Sequence, residues 1–155
     1  MTVGRFLTLE GGEGVGKTTL LEGLRTHFSD SKITVIFTRE PGGSPRAELL
    51  RTVLLSETNA PQQPMSVATE ALIISAARSD HVDNTIMPAL DRGDWVICDR
   101  FTDSTLAYQG GAVSAEYLNA LNHIATKGLR PDLTILLDGD PTVLHARRVA
   151  RGAAS

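Results

Sequence analysis

The sequence predicts an α/β domain, a parallel β-sheet covered by helices on both faces. Three observations point there. Four short apolar or β-branched runs read as strands: Arg5 to Glu10, Ile33 to Thr38, Trp95 to Cys98 and Leu133 to Leu137. Stretches of helical periodicity lie between them. Directly after the first run comes G-G-E-G-V-G-K-T, Gly11 to Thr18, which fits the phosphate-loop pattern G-x-x-x-x-G-K-[ST]. Strand, glycine loop and helix in that order are the context in which the motif binds phosphate, so the expected architecture is a P-loop NTPase fold.

The spacing within the loop has physical reasons. Gly11, Gly14 and Gly16 let the backbone adopt positive φ and approach a ligand closely. Successive N–H groups then form an anion nest, and the following helix adds the positive end of its dipole. Lys17 supplies a full charge for the β- and γ-phosphates, and Thr18 a hydroxyl for Mg²⁺. The candidate ATP-binding set is Gly11, Gly12, Glu13, Gly14, Val15, Gly16, Lys17, Thr18 and Thr19.

After the loop, Leu20, Leu21, Leu24 and Phe28 share one helical face. Ile33 to Thr38 reads as a strand buried on both faces. Arg39 to Gly43, R-E-P-G-G, stops it and makes a turn. A helix is expected from Pro45 to Leu55 with Leu49, Leu50, Val53 and Leu54 inward, then a loop from Asn59 to Pro64. A long helix begins near Val67, with Ala68, Ala71, Leu72, Ser75, Ala76 and Ser79 forming a small-residue face. Pro88 is expected to kink it or start a new turn, and Arg92-Gly93-Asp94 to end it. W-V-I-C, Trp95 to Cys98, runs straight into Asp99-Arg100. A short helix spans Thr102 to Gly111. Ser114 caps another, with Tyr117, Leu118, Leu121 and Ile124 periodic and Gly128 closing it. The fourth strand leads to Asp138, and Asp140-Pro141 opens a last helix, Thr142 to Arg151.

Bulk properties narrow the classes. With 155 residues, net charge −3 and 41% hydrophobic residues, the composition is that of one soluble domain. Nothing is strongly basic, which argues against a nucleic-acid polymer as partner. The single cysteine, Cys98, rules out an internal disulfide and suits a small core residue. The four histidines lack metal-ligand spacing. Met1 to Glu10 lacks the apolar centre of a signal peptide, and no run approaches the ~20 apolar residues of a membrane span. The expectation is a cytoplasmic protein without membrane partners.

In an open α/β sheet, ligands bind at the carboxyl ends of the strands. After the phosphate loop, those ends carry Arg39 and Glu40, Asp99 and Arg100, and Asp138. Carboxylates there position Mg²⁺ or its waters, and Thr18 and Asp99 are the candidate metal residues. Arginines grip a second anion with a planar fork. Such a cluster around a phosphate cradle argues for phosphoryl transfer, where alignment and charge neutralisation supply most of the catalysis.

Five blocks carry a family resemblance: E-G-G-E-G-V-G-K-T-T at Glu10 to Thr19, T-R-E-P-G-G at Thr38 to Gly43, A-A-R at Ala76 to Arg78, D-R-F-T-D-S-T-L-A-Y-Q-G at Asp99 to Gly110, and R-P-D-L-T-I-L-L-D at Arg130 to Asp138. The chain resembles the bacterial thymidylate kinases over nearly its whole length. The resemblance implies the reaction Mg·ATP plus dTMP giving ADP plus dTDP. It implies that Glu13 reaches the sugar 3′-hydroxyl, that Arg39, Arg51 and Arg100 surround the dTMP phosphate, and that Arg78 donates to the thymine carbonyl. Thr105 and Gln109 would read the rest of the base edge, and Tyr108 would lie beside the sugar. Lys17, Asp99 and Arg100 would be catalytic. A homodimer joined through helices of the type at Val67 to Ser79 is also implied.

Three departures from the family pattern stand out. Ile74 occupies the position where the family often places a ring over thymine, which forfeits about 0.5–1.5 kcal/mol of aromatic pairing. Gly14 stands where some members carry an arginine, so the resemblance is to the type whose catalytic arginine comes from a mobile lid. Arg147, Arg148 and Arg151 match the basic entry to that lid, and Arg148 and Arg151 are the catalytic candidates from it. The family continues through the lid, a fifth strand and a terminal helix. The resemblance therefore implies a single kinase domain over residues 1–155, truncated at the start of the lid. Two other readings compete: a non-catalytic nucleotide-binding fragment, and a regulatory GTPase, which the lack of an N-K-x-D segment disfavours.

Overall fold

The computed structural model describes residues 4–56 and 64–152. The order is β1 (Arg5–Glu10), α1 (Lys17–Phe28), β2 (Val35–Arg39), α2 (Pro45–Leu55), α3 (Val67–His81), a π-helical turn (Val82–Ile86), α4 (Met87–Asp91), β3 (Trp95–Asp99), α5 (Thr102–Gln109), α6 (Ala115–Thr126), β4 (Leu133–Leu136) and α7 (Pro141–Gly152). Of the loop expected at residues 59–64, all but Pro64 lies outside the described residues. The four strands form one parallel sheet in the order β2-β3-β1-β4.

The core explains the central pair. Phe6 and Val96 face each other in register, as do Thr8 and Cys98. Phe6, Val96 and Cys98 pack under Val82, Ile86, Ala89 and Phe101, all at most 1% exposed. Phe6 and Phe101 meet edge to face at 4.9 Å, the geometry that aromatic quadrupoles favour. The segment over this face is interrupted where Pro88 predicts it. Pro88 has no N–H to give a carbonyl one turn back. The helix widens into the π-turn at Val82–Ile86 and restarts at Met87.

Side-chain caps start three helices. Ser66 Oγ accepts from Thr69 N at 3.1 Å, Ser114 Oγ from Tyr117 N at 3.3 Å, and Asp140 Oδ1 from Thr142 N at 2.8 Å. Lys127 and Gly128, both in the left-handed region, end α6.

Burial departs from the sequence reading in four places. β2 is half-buried rather than covered on both faces, because it pairs only with β3 among the described strands. On α2, Ala47 is buried while Leu49 and Val53 are 69% and 46% exposed. On α6, Leu118, Asn122 and Ala125 form the buried stripe, and Tyr117 and Ile124 are each 71% exposed. In α3 the small-residue face splits: Ala71 and Ser75 turn inward, whereas Ala68, Leu72 and Ala76 are exposed.

Asp132 ties the start of β1 to the start of β4. Its Oδ2 accepts from Phe6 N at 2.8 Å and its Oδ1 from Arg5 Nη1 at 2.9 Å. The Phe6 N–H first, then Arg5, hold its carboxyl below the usual range. A carboxyl lowered in the folded state stabilises above its unfolded pKa of about 3.9 and ceases to do so as pH falls through the folded value. The Tm advantage of wild type over Asp132→Asn is therefore expected to be full near about pH 6 and to shrink below about pH 4. An advantage independent of pH would contradict this role.

Candidate active site

The phosphate loop is built as its glycines require. Gly11, Gly14 and Gly16 have φ of 137°, 79° and 107°. A methyl group on Gly11 would overlap Leu137 O, so only glycine lets the loop leave β1 past the end of β4. Lys17 opens α1 and is 7% exposed. Its Nζ donates to Gly11 O at 2.7 Å and Gly12 O at 2.9 Å. Burial lowers its pKa first and the nearby Arg100 adds to this, while Asp99, Glu10 and Glu13 pull the other way.

The sheet register brings the second motif to the same edge. Leu9 of β1 pairs with Asp99 of β3, and so does Arg39 of β2. Arg100 N donates to Leu9 O at 2.9 Å, and Glu40 N to Asp99 O at 2.9 Å. Arg100 has φ 72°, a left-handed conformation that costs a non-glycine residue roughly 1–3 kcal/mol. Glu10 supplies the restraint. Its Oε1 accepts from Phe101 N at 2.8 Å, and its Oε2 from Ser104 Oγ at 2.6 Å. Arg100 Nη1 in turn donates to Ser104 Oγ and to Gly11 O, each at 3.2 Å. Its guanidinium lies 5.2 Å from the centre of the Tyr108 ring. Glu13, Gly14, Gly16, Lys17, Thr18, Asp99 and Arg100 line a cavity of about 280 Å³ over the loop. Asp99 Oδ1 is buried there without a hydrogen-bond partner among the described residues.

A second cavity of about 250 Å³ adjoins the first, and the two share Glu13 and Arg100. Its walls include Pro41, Leu55, Ile74, Arg78, Phe101, Thr105, Tyr108 and Gln109. Arg78 is only 2% exposed. Its Nε donates to Glu40 Oε2 at 2.7 Å, its Nη1 to Asn122 Oδ1 at 2.6 Å, and its Nη2 to Phe101 O and Thr105 Oγ1, each at 3.0 Å. These bonds use four of the guanidinium's five N–H groups. The fifth, on Nη1, has no acceptor among the described residues. Gln109 Oε1 is likewise buried and unpartnered. Such groups are rare in folded proteins, and these two belong to residues that line one cavity.

Not every sequence-predicted residue converges here. Arg39 Nη2 reaches Glu48 Oε1 and Oε2 at 3.1 and 3.0 Å, and Arg39 lines a different groove that also carries Thr18 and Asp99. Arg51 Nη1 donates at 2.8 Å to the carbonyl of Pro41, a residue of the second cavity's wall. Asp138 lines a neighbouring cleft with Gly12, Glu13 and Tyr108. Val15 is half-buried in the loop, and Thr19 is exposed in the first turn of α1. The side chains of Arg148 and Arg151 fall outside the described residues; Arg147 Nη1 donates to Gly14 O at 3.3 Å.

Four residues in the site carried no assigned role in the sequence reading: Glu10, Ser104, Asn122 and His81. The position of Glu10 at the carboxyl end of β1 was a signal for it, and Ser104 sits within the D-R-F-T-D-S block. Asn122 betrays itself only as a polar residue in the buried stripe of α6. Glu40, His81 and Cys98 place donor atoms within 4.8 Å of one another. Both Glu40 oxygens and both His81 nitrogens are already hydrogen-bonded. Cys98 Sγ donates to Arg100 O at 3.1 Å, and burial, with Glu40 next in effect, holds its thiol pKa well above the usual value. The trio is a hydrogen-bonded cluster around a buried ion pair rather than a metal ligand set.

Replacing Glu10 by Ala leaves the Phe101 N–H without its partner and frees the strained Arg100. The expected loss is about 1–3 kcal/mol in urea unfolding, with a fall in kcat as Arg100 loses its orientation. Unchanged kcat in a folded Glu10→Ala variant would contradict the restraint.

Known proteins bear on this geometry. The thymidylate kinase family model matches residues 9–155. A thymidylate kinase of Alkalilimnicola ehrlichii is 49% identical over 156 residues, covering 99% of this chain and 70% of its own length. One of Chromohalobacter salexigens is 50% identical over 153 residues, covering 97% of this chain and 71% of its own length. The crystal structure of thymidylate kinase from Ehrlichia chaffeensis superposes with a TM-score of 0.75 at 33% identity, over 96% of this chain and 87% of that one. The four parallel strands and the glycine loop are thus those of a P-loop NTPase fold, and the chain belongs to the thymidylate kinase family.

Proposed function

We propose that this chain transfers the γ-phosphoryl group of ATP to dTMP, giving ADP and dTDP. The observation that carries the reading is a cavity next to the phosphate loop whose lining residues Arg78 and Gln109 each keep a polar group unmatched among the described residues. Thymine presents a carbonyl acceptor at C4 and an N–H donor at N3. Arg78 keeps one N–H on Nη1 without an acceptor among the described residues, and Gln109 Oε1 lacks a donor. Cytosine presents an amino donor at C4, against which a donor-only guanidinium is left unpaired.

In this reading, ATP phosphates lie in the nest of Gly11 to Thr19, and Lys17 exchanges its loop carbonyls for phosphate oxygens. The dTMP phosphate lies at Arg100, with Arg39 and Arg51 approaching from the neighbouring walls. Glu13 and Tyr108 face the sugar, and Ile74 packs on the base. A dTMP phosphate oxygen attacks the γ-phosphorus. A new P–O bond forms to dTMP as the bond to the ADP oxygen breaks. No strong base is required, because the attacking monoester oxygen is already anionic; alignment and neutralisation of two anions are the main demands. Arg148 and Arg151 belong to this step as charge-stabilising arginines; α7 carries their neighbour Arg147 to Gly14.

Asp99, whose Oδ1 has no partner among the described residues, lines the same cavity as Thr18, a donor set that fits a divalent cation. Thr18 and Asp99 would hold Mg²⁺ directly or through water, and the ion would neutralise phosphate charge. No helix among the described residues is long and apolar enough to cross a membrane. A cytoplasmic homodimer, joined through the exposed Ala68, Leu72 and Ala76 of α3, completes the reading. The relatives disfavour the alternative of a non-catalytic nucleotide-binding fragment.

ADP release with dTMP, dCMP, dGMP and AMP as acceptors tests the assignment. dTMP is expected to exceed the others by about a hundredfold or more in kcat/KM. Arg78→Lys is expected to raise the dTMP KM by about tenfold or more. Equal rates with all four acceptors would overturn the reading.

A further inference from the structure

We propose that His81 is a positioning residue for base recognition, acting through Glu40 to set the direction in which Arg78 offers its remaining N–H. The proposal rests on Arg78 as the donor to the base. His81 is 0% exposed and lines neither cavity. Its Nδ1 lies 3.0 Å from Glu40 Oε1, and its Nε2 lies 2.7 Å from Thr38 Oγ1. A carboxylate only accepts, so Nδ1–H is the donor to Glu40. Space for the ring comes from Gly43, where a methyl group would overlap both His81 Nε2 and Thr38 Oγ1. Thr38 is fixed in β2 opposite Cys98. A rigid chain of contacts therefore runs from the sheet through Thr38, His81 and Glu40 to Arg78.

The consequence lies in how Glu40 meets Arg78. The favoured pairing of arginine with a carboxylate is a two-pronged fork. Here only Oε2 takes a guanidinium N–H, because Oε1 is occupied by His81. Arg78 Nη2 is thus left to Phe101 O and Thr105 Oγ1, and Nη1 to Asn122. Without the His81 bond, Glu40 rotates about a soft terminal torsion and closes the fork on Nε and Nη2. The guanidinium then turns away from Thr105, and the remaining Nη1 N–H turns with it.

Two substitutions separate this role from simple packing. In His81→Asn the new amide nitrogen can stand near the place of Nδ1, and in His81→Gln it can stand near that of Nε2. Steady-state kinetics and Tm are measured for His81→Asn, His81→Gln and Arg78→Lys. His81→Gln is expected to raise the dTMP KM about tenfold, with kcat and the ATP KM within about twofold. His81→Asn is expected to restore the dTMP KM to within about threefold of wild type. Equal dTMP KM values for both variants, or parallel changes in kcat and the ATP KM, would overturn the proposal. If Arg78→Lys raises the dTMP KM and the His81 variants do not, only the His81 role falls. If Arg78→Lys leaves it unchanged, the base-donor reading falls and this proposal with it. Should the His81 variants fail to fold, Thr38→Val removes the hydroxyl that anchors Nε2. It is expected to raise the dTMP KM about two- to threefold at constant kcat, and an unchanged KM would overturn the proposal.

Discussion

The parallel pairing of β1 with β3, Leu9 opposite Asp99, is the constraint on which the rest of the site depends. It makes the glycine loop and the Asp99-Arg100 pair leave the sheet at one edge. One carboxylate then joins them: Glu10 is the last residue of β1, yet its bonds go to Phe101 N and Ser104 Oγ beyond β3. The left-handed backbone at Arg100 persists because the strand pairing behind it and Glu10 beside it both hold it. Strain stored at a site requires such over-determination. A slip of one residue between these strands would reverse every facing side chain and part the two motifs.

The second organising feature is a charge placed where water does not reach. A buried guanidinium is costly unless its donors are met. Glu40, Asn122, Phe101 O and Thr105 meet four of the five around Arg78. They come from the R-E-P-G-G turn, α6, and the start of α5. A side chain that could rotate freely would donate in many directions. Locked between these elements, it donates in one, so in the proposed reading a wrong base meets an unsatisfied buried group instead of an adaptable one.

Much of this was legible in the residues. The phosphate loop follows from four fixed positions and their flanks, which together supply backbone freedom and charge at the required spacing. Ser114, Asp140 and Pro88 announced helix starts and an interruption, because capping and ring geometry are local effects. What failed was partner choice. Leu49, Val53, Tyr117 and Ile124 have the right periodicity for a buried face, but their helices turn another stripe inward. β2 has the composition of a covered strand and sits at an edge. Arg39 closes β2 at the carboxyl edge as expected, but nothing in the spacing announced its pairing with Glu48, nine residues on. Glu10, Asn122 and His81 act through contacts 41 or more residues away in sequence, and spacing carries no information at that range.

The two cavities meet at Glu13 and Arg100, so in the proposed reaction donor and acceptor are bound together, end to end. Calorimetric titration with a compound joining adenosine to thymidine through a polyphosphate chain tests this most directly. One equivalent should bind per chain, displace both dTMP and a non-hydrolysable ATP analogue, and bind more tightly than either. Binding alongside dTMP, or displacement of only one of the two, would contradict the facing arrangement.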